Sequence, residues 1–218
     1  MHYKDIIRYW HEGVLEADKK NYDSALENFT SIEDPPARIW FNIGCIHLLR
    51  DDLQQSLEAF NQSVIKDPCL AVGFFQRSYV YFKLHRCKAL SDCHLSLAQL
   101  RGNRVIDYKQ LGLRHLLFAW EVVYNTAVFL GYLGKWQNAK EKLQETIHWL
   151  PGETRNSKLD SALDTVQRQV FLLPEHVPEG ELFRPRKQEV EQLKSKDFLG
   201  KPKSLWSHGF DPDEQPLQ

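Results

Sequence analysis

Four residues in one short stretch, His85, Cys87, Cys93 and His94, are of the types that bind zinc. Thiolates and imidazoles close tetrahedral sites, usually with cysteines paired two to four residues apart. Here Cys87 and Cys93 lie further apart, and a helix turns them to different faces. Packed thiols and surface histidines are the expected reading, and no metal or cofactor is assigned. No glycine-rich phosphate loop, zinc-protease helix or nucleophile elbow is present. Asp and Glu are spread over polar faces, where solvated charge is the default. The chain reads as a non-enzyme.

Lys and Arg number 28 against 29 Asp and Glu, so no global field attracts nucleic acid or acidic lipid. A charged partner must be read by a local patch. The opening MHYKDIIRYW lacks the apolar stretch of a signal peptide. No apolar run approaches the roughly 20 residues that span a bilayer. Cys45, Cys69, Cys87 and Cys93 lack the dense spacing of a disulfide scaffold. A cytoplasmic setting is the simplest expectation.

The elements that must position any site follow from an internal period. A bulky residue is followed four later by a small one. An aromatic or large apolar residue then opens a second segment, with Ala or Ser three on and a large apolar four further. These roles fall to Tyr9, Gly13, Tyr22, Ala25 and Phe29, then to Trp40, Gly44, Leu53, Ser56, Phe60 and Pro68. They recur as Val123, Ala127, Trp136, Ala139, Leu143 and Pro151. A weaker copy has Phe74, Ser78, Tyr81 and Ala89, with a shorter turn. Small residues where helices cross and aromatics where they diverge are what stacked helical hairpins need. The pattern predicts an all-α solenoid of four tetratricopeptide repeats; a generic helical bundle is the alternative.

Repeats start near residues 6, 37, 71 and 120, so extra chain precedes the fourth. The stretch 101–116, RGNRVIDYKQLGLRHL, sets Val105, Ile106, Tyr108 and Leu111 among polar residues, with Gly102 and Gly112 as breakers. It reads as a β-hairpin or ordered loop. Insertions in solenoids emerge on one face and often bind partners. A capping helix is expected over 158–169, with Ser157 as N-cap and Leu159, Ala162, Leu163 and Val166 as its apolar stripe. The three prolines of 171–187, Pro174, Pro178 and Pro185, exclude regular helix.

Trp10, Phe41, Phe75, Tyr79 and Tyr124 are expected to face the concave groove. An open groove of that kind exceeds the apolar patch soluble monomers tolerate. Leu172, Leu173, Val177, Leu182 and Phe183 are therefore expected to fold back into it. An anion clamp there, as in repeat proteins that hold a terminal carboxylate, would use Ile7 and His11, Arg38 and Asn42, and Val72 and Gln76. Only the middle pair suits an anion. The domain reading is a repeat domain over 1–170, an extended segment over 171–195 lying in the groove, and a tail over 196–218.

The stretches FNIGC (41–45), LAVGFFQR (70–77), QLRGN with IDYKQLGL (99–113), ELFRP (181–185) and KDFLGK (196–201) carry a resemblance. They resemble the N-terminal activator region of the NADPH oxidase activator family, which includes neutrophil cytosol factor 2. DPPAR (34–38) and DPCLAVGFF (67–75) lean toward the activator 1 branch. The resemblance implies a regulatory adaptor whose insertion and inter-repeat loops bind the GTP-bound form of the small GTPase Rac. The implied contacts are Arg101, Asn103 and Asp107 in the insertion, Asp67 in the loop before repeat three, and Ala37 and Cys69. It further implies an activation segment, Phe198, Leu199, Gly200, Lys201, Ser204, Leu205 and Trp206, that contacts the membrane flavocytochrome and promotes superoxide production. Recruitment from cytoplasm to membrane on activation follows. Pro202 to Trp206 stand where the family has a valine pair. Family members usually continue into an SH3 domain, and none is read before Gln218. A Rac-binding scaffold with a non-activating tail and a groove-using peptide scaffold are the alternative readings.

Overall fold

Gly13 and Gly44 explain how the first two helical pairs close. A Cβ on Gly13 would lie 2.6 Å from the Phe29 ring, and one on Gly44 would lie 2.9 Å from Phe60. Each bare backbone lets the aromatic of the second helix seat directly on the first, fully buried. In repeat three the pair becomes Ser78 and Cys93, both buried, and in repeat four Ala127 and Leu143. A larger residue on the first helix is matched by a smaller one on the second, which keeps the interior filled.

The computed structural model describes residues 1–149 and 157–197. Four antiparallel helical pairs stack in order: α1 (Tyr3–Asp18) with α2 (Tyr22–Thr30), α3 (Ala37–Leu49) with α4 (Leu53–Lys66), α5 (Ala71–Lys83) with α6 (Ala89–Leu100), and α7 (Ala119–Tyr132) with α8 (Trp136–Trp149). The chain is a tetratricopeptide-repeat solenoid. One apolar core runs through all four pairs, from Ile7 and Trp10 to Leu143. Buried hydroxyls tie the two helices within a pair: Ser63 of α4 donates to the Ala37 carbonyl of α3, and Ser96 of α6 to the Ala71 carbonyl of α5, at 2.9 and 3.0 Å.

Between α6 and α7 the insertion forms an antiparallel hairpin of β1 (Val105–Asp107) and β2 (Leu116–Phe118), with Ile106 opposite Leu117. Its second strand runs past residue 116 and meets α7 directly. The expected bound at 116 falls two residues short of the end of the strand at Phe118, where the apolar run from Leu116 to Trp120 continues unbroken into the helix. The capping helix α9 (Ser157–Gln167) packs on α8 through Leu159, Ala162 and Val166. Its first helical residue is Ser157, and it ends two residues earlier than expected. Pro151 lies outside the described residues.

The chain then returns along the groove in extended form and becomes helical again at α10 (Lys187–Asp197), which packs on α1. The extended segment therefore ends at Arg186, not at 195. Helix α10 was hidden by weak amphipathicity: among its described side chains, the apolar ones packed against the core are Val190 and Leu193. Polar helix formers fill the rest of it. Its start is held by Glu189, which accepts from the Arg186 amide and from the Tyr3 hydroxyl.

Candidate GTPase-facing surface

Residues 171–186, the strap, occupy the groove through backbone hydrogen bonds to amide side chains on successive first helices. Asn125 of α7 donates to the Glu175 carbonyl and accepts from its amide. Gln76 of α5 accepts from the Val177 amide at 2.7 Å. On α3, Asn42 makes both bonds to Phe183, each 2.8 Å, and the Trp10 indole donates to the same carbonyl. Asn42 and Gln76 thus hold the chain's own backbone. Val177, Leu182 and Phe183 are buried, and Leu172 is half-buried. Leu173 is 77% exposed, because side chains of an extended chain alternate and its neighbour faces inward. The Tyr79 and His176 rings meet at a tilt of 37°, with centroids 4.6 Å apart, and the Phe183 ring meets Phe41 edge-on at 5.0 Å.

The hairpin tip is gripped from three sides. Buried Tyr108 accepts at its hydroxyl from the Val72 amide at the start of α5. Burial pushes that phenol up to about 12, which keeps it neutral. Arg38 of α3 donates to the Leu111 carbonyl, while its guanidinium lies over Trp10. From the strap, the Arg184 amide donates to the Gly112 carbonyl at 3.0 Å. Gly112 has φ +97, and a Cβ there would sit 2.1 Å from the Arg184 carbonyl oxygen. Arg184 is anchored in turn by a bidentate pair with Asp18, which lowers the Asp18 carboxyl.

The insertion and the preceding inter-repeat loop come together at the ends of α4 and α6. Arg101 caps α6 in the left-handed conformation, and its guanidinium lies 3.5 Å from the Cys69 sulfur. Both are exposed. Asp67 turns its own loop by accepting from the Cys69 amide, and Asp107 does the same for Lys109. Asn103 folds onto the Leu100 carbonyl, which accepts from both its side-chain amide and its backbone amide at 2.9 Å. Ala37 differs: at 9% exposure, with its carbonyl bonded to Ser63, its methyl offers little surface to a partner.

Against proteins of known name, the chain is 45% identical over 218 residues to NADPH oxidase activator 1 of Rattus norvegicus, covering 98% of its own length. The chain belongs to the NADPH oxidase activator family. It is also 43% identical over 198 residues to neutrophil cytosol factor 2 of Mus musculus, and 42% to that of Homo sapiens, covering 90% of its own length in each. The chain spans about half the length of the curated relatives it matches: 49% of the rat activator and 38% of the mouse and human factors. No protein-family model matches it. Among solved structures, one of MamA superposes with a TM-score of 0.56 at 11% identity, over 96% of this chain and 99% of that one. A second MamA structure gives 0.51 at 12% identity, over 74% and 78%. Those likenesses concern the fold.

For a member of the activator family, the remaining features of this chain are structural in character. Cys93 is buried in repeat three, with its thiol pushed up to about 12 by burial, whereas Cys87 is exposed. Among the described residues no cluster of metal-ligating side chains occurs, and no helix is long and apolar enough to cross a membrane. Burial raises the Glu121 carboxyl to about 7 at the start of α7, where it accepts from the Phe118 amide. Burial likewise lowers His115, so the imidazole in the hairpin is held neutral. Phe198 to Trp206 lie outside the described residues. Sequence reading missed the Arg38, Gly112 and Arg184 grip. A glycine followed by a return of the chain to the groove was its only sequence signal.

Proposed function

We propose that this chain is a non-catalytic adaptor that binds a Rac-type small GTPase in its GTP form and activates a membrane NADPH oxidase. Its relatives are named as oxidase activators. The observation that carries the GTPase reading is the polar set along one edge of the solenoid, at the ends of α4 and α6, exposed but for half-buried Asp67. Arg101, Cys69 and Asp67 adjoin there, and Asp107 and Asn103 follow in a hairpin gripped by three elements. A rigid scaffold that presents a guanidinium and carboxylates can make directional contacts at low entropic cost. The chain is cytoplasmic in this reading and moves to the membrane when the GTPase is loaded.

Arg101→Glu is expected to abolish pull-down by GTP-loaded Rac while leaving helical circular dichroism unchanged. Binding that survives the charge reversal refutes the assignment. The activating half of the proposal rests on residues 198–210, where Leu205 and Trp206 supply the apolar anchor. Removing them is expected to eliminate superoxide output in a cell-free assay with Rac binding intact. Equal output with and without them would leave a GTPase-binding scaffold with a silent tail.

A further inference from the structure

The hairpin cannot hold its own shape. Two strands of three residues are too short to be stable alone in water, so the packing around them sets their geometry. Two of the three grips come from the solenoid, at Val72 and Arg38. The third comes from the strap, through the Arg184 amide on the Gly112 carbonyl and the Phe183 ring beside Tyr108 at 6.2 Å. We propose that Phe183 and Arg184 are positioning residues for the GTPase-facing hairpin, so that GTPase binding and strap docking stabilise one another. This rests on the GTPase reading given above.

Three observations carry it. The strap touches the hairpin at Gly112, where any side chain would collide with the Arg184 carbonyl. The backbone approach is closer than any other residue would permit. Phe183 is bonded twice to Asn42 and once to Trp10, so its position is fixed by the solenoid and transmitted to the tip. The hairpin reporter is close by: the Tyr108 amide donates to His115 across the strands, and the same ring faces Phe183. Whatever orders the hairpin must favour the docked strap by the same factor that the docked strap favours it, since coupling between sites is reciprocal.

The test uses the full chain, amide hydrogen exchange and titration with GTP-loaded Rac. In the wild type, Rac is expected to slow exchange at the Phe183 and Arg184 amides. Asn42→Ala removes the strap's double bond and touches neither the hairpin nor the exposed contact residues. It is expected to speed exchange at Phe183, Arg184 and Tyr108 and to weaken Rac binding by about tenfold. If that variant fails to fold, Gln76→Ala loosens the strap at Val177 by a single bond and is expected to act in the same direction. The proposal is overturned if the strap amides exchange faster while Tyr108 exchange and Rac affinity stay unchanged. It also falls if Rac leaves the strap amides unprotected. Should the wild type bind no Rac, the GTPase reading fails and the coupling with it. Faster Tyr108 exchange in the variant would then still mark the strap as the clamp of the hairpin.

Discussion

Phe183→Ala is expected to lower stability by about 3–5 kcal/mol, the usual cost of emptying a buried phenylalanine site. The ring is completely buried between Phe41 and Tyr108. Its backbone is pinned by Asn42 and Trp10, so the strap cannot easily slide to fill the space. For a chain of this size that loss corresponds to a fall in Tm of about 10 °C. Loosening the strap uncovers apolar groove residues such as Phe41 and Phe75, so binding of a hydrophobic dye should rise. Leu173→Ala is the control. That side chain is 77% exposed, and its removal should stay within about 0.5 kcal/mol. Equal melting temperatures for Phe183→Ala and Leu173→Ala would mean that the groove is not stabilised by its strap.

The contrast between those two residues marks how far the sequence could be read. Repeat closure was legible because Gly13 with Phe29 and Gly44 with Phe60 recur at a fixed spacing, and sterics allow few other uses for that pairing. The insertion was legible as a break in the period. That the segment after α9 must cover the groove followed from the aromatics of the first helices. Which of its leucines point inward did not, because alternation fixes a face only once the register is known. The end of the hairpin was obscured by the apolar run into α7, and α10 by its few apolar residues. Of the candidate surface, the hairpin was marked by its own residues. Asp67 and Cys69 came from family resemblance alone, since nothing local tells that one loop lies beside Arg101 of the next repeat. Ala37, named on the same basis, is nearly buried. The contact of Gly112 with Arg184 joins chain segments with no shared pattern.

Arg77→Ala is expected to cost about as much as the loss of Phe183, for an electrostatic reason. Arg77 of α5 makes a bidentate pair with Asp92 of α6, at 2.7 Å on both bonds, and donates a third to Asn61 of α4. The guanidinium also lies over the Phe74 and Tyr81 rings. Both side chains are largely buried, at 14% and 3% exposure. Burial raises the Asp92 carboxyl above the usual range, and Arg77 pulls against that shift. Removing Arg77 leaves a buried carboxylate without its ion-pair partner, which costs about 3–5 kcal/mol. Desolvation of two charges nearly cancels their attraction, so the double change Arg77→Met with Asp92→Leu should recover most of the loss. The pH dependence has a definite sign. A carboxyl whose folded pKa is raised takes up protons on folding, so the deficit of Arg77→Ala should be full at pH 8 and shrink as pH falls. A deficit that grows on acidification would contradict this account. The pair joins the two helices of repeat three, and α6 ends at Arg101, so Arg77→Ala should also weaken binding of GTP-loaded Rac. The double variant separates the causes: recovered stability should bring recovered binding if Arg77 acts only through the position of α6.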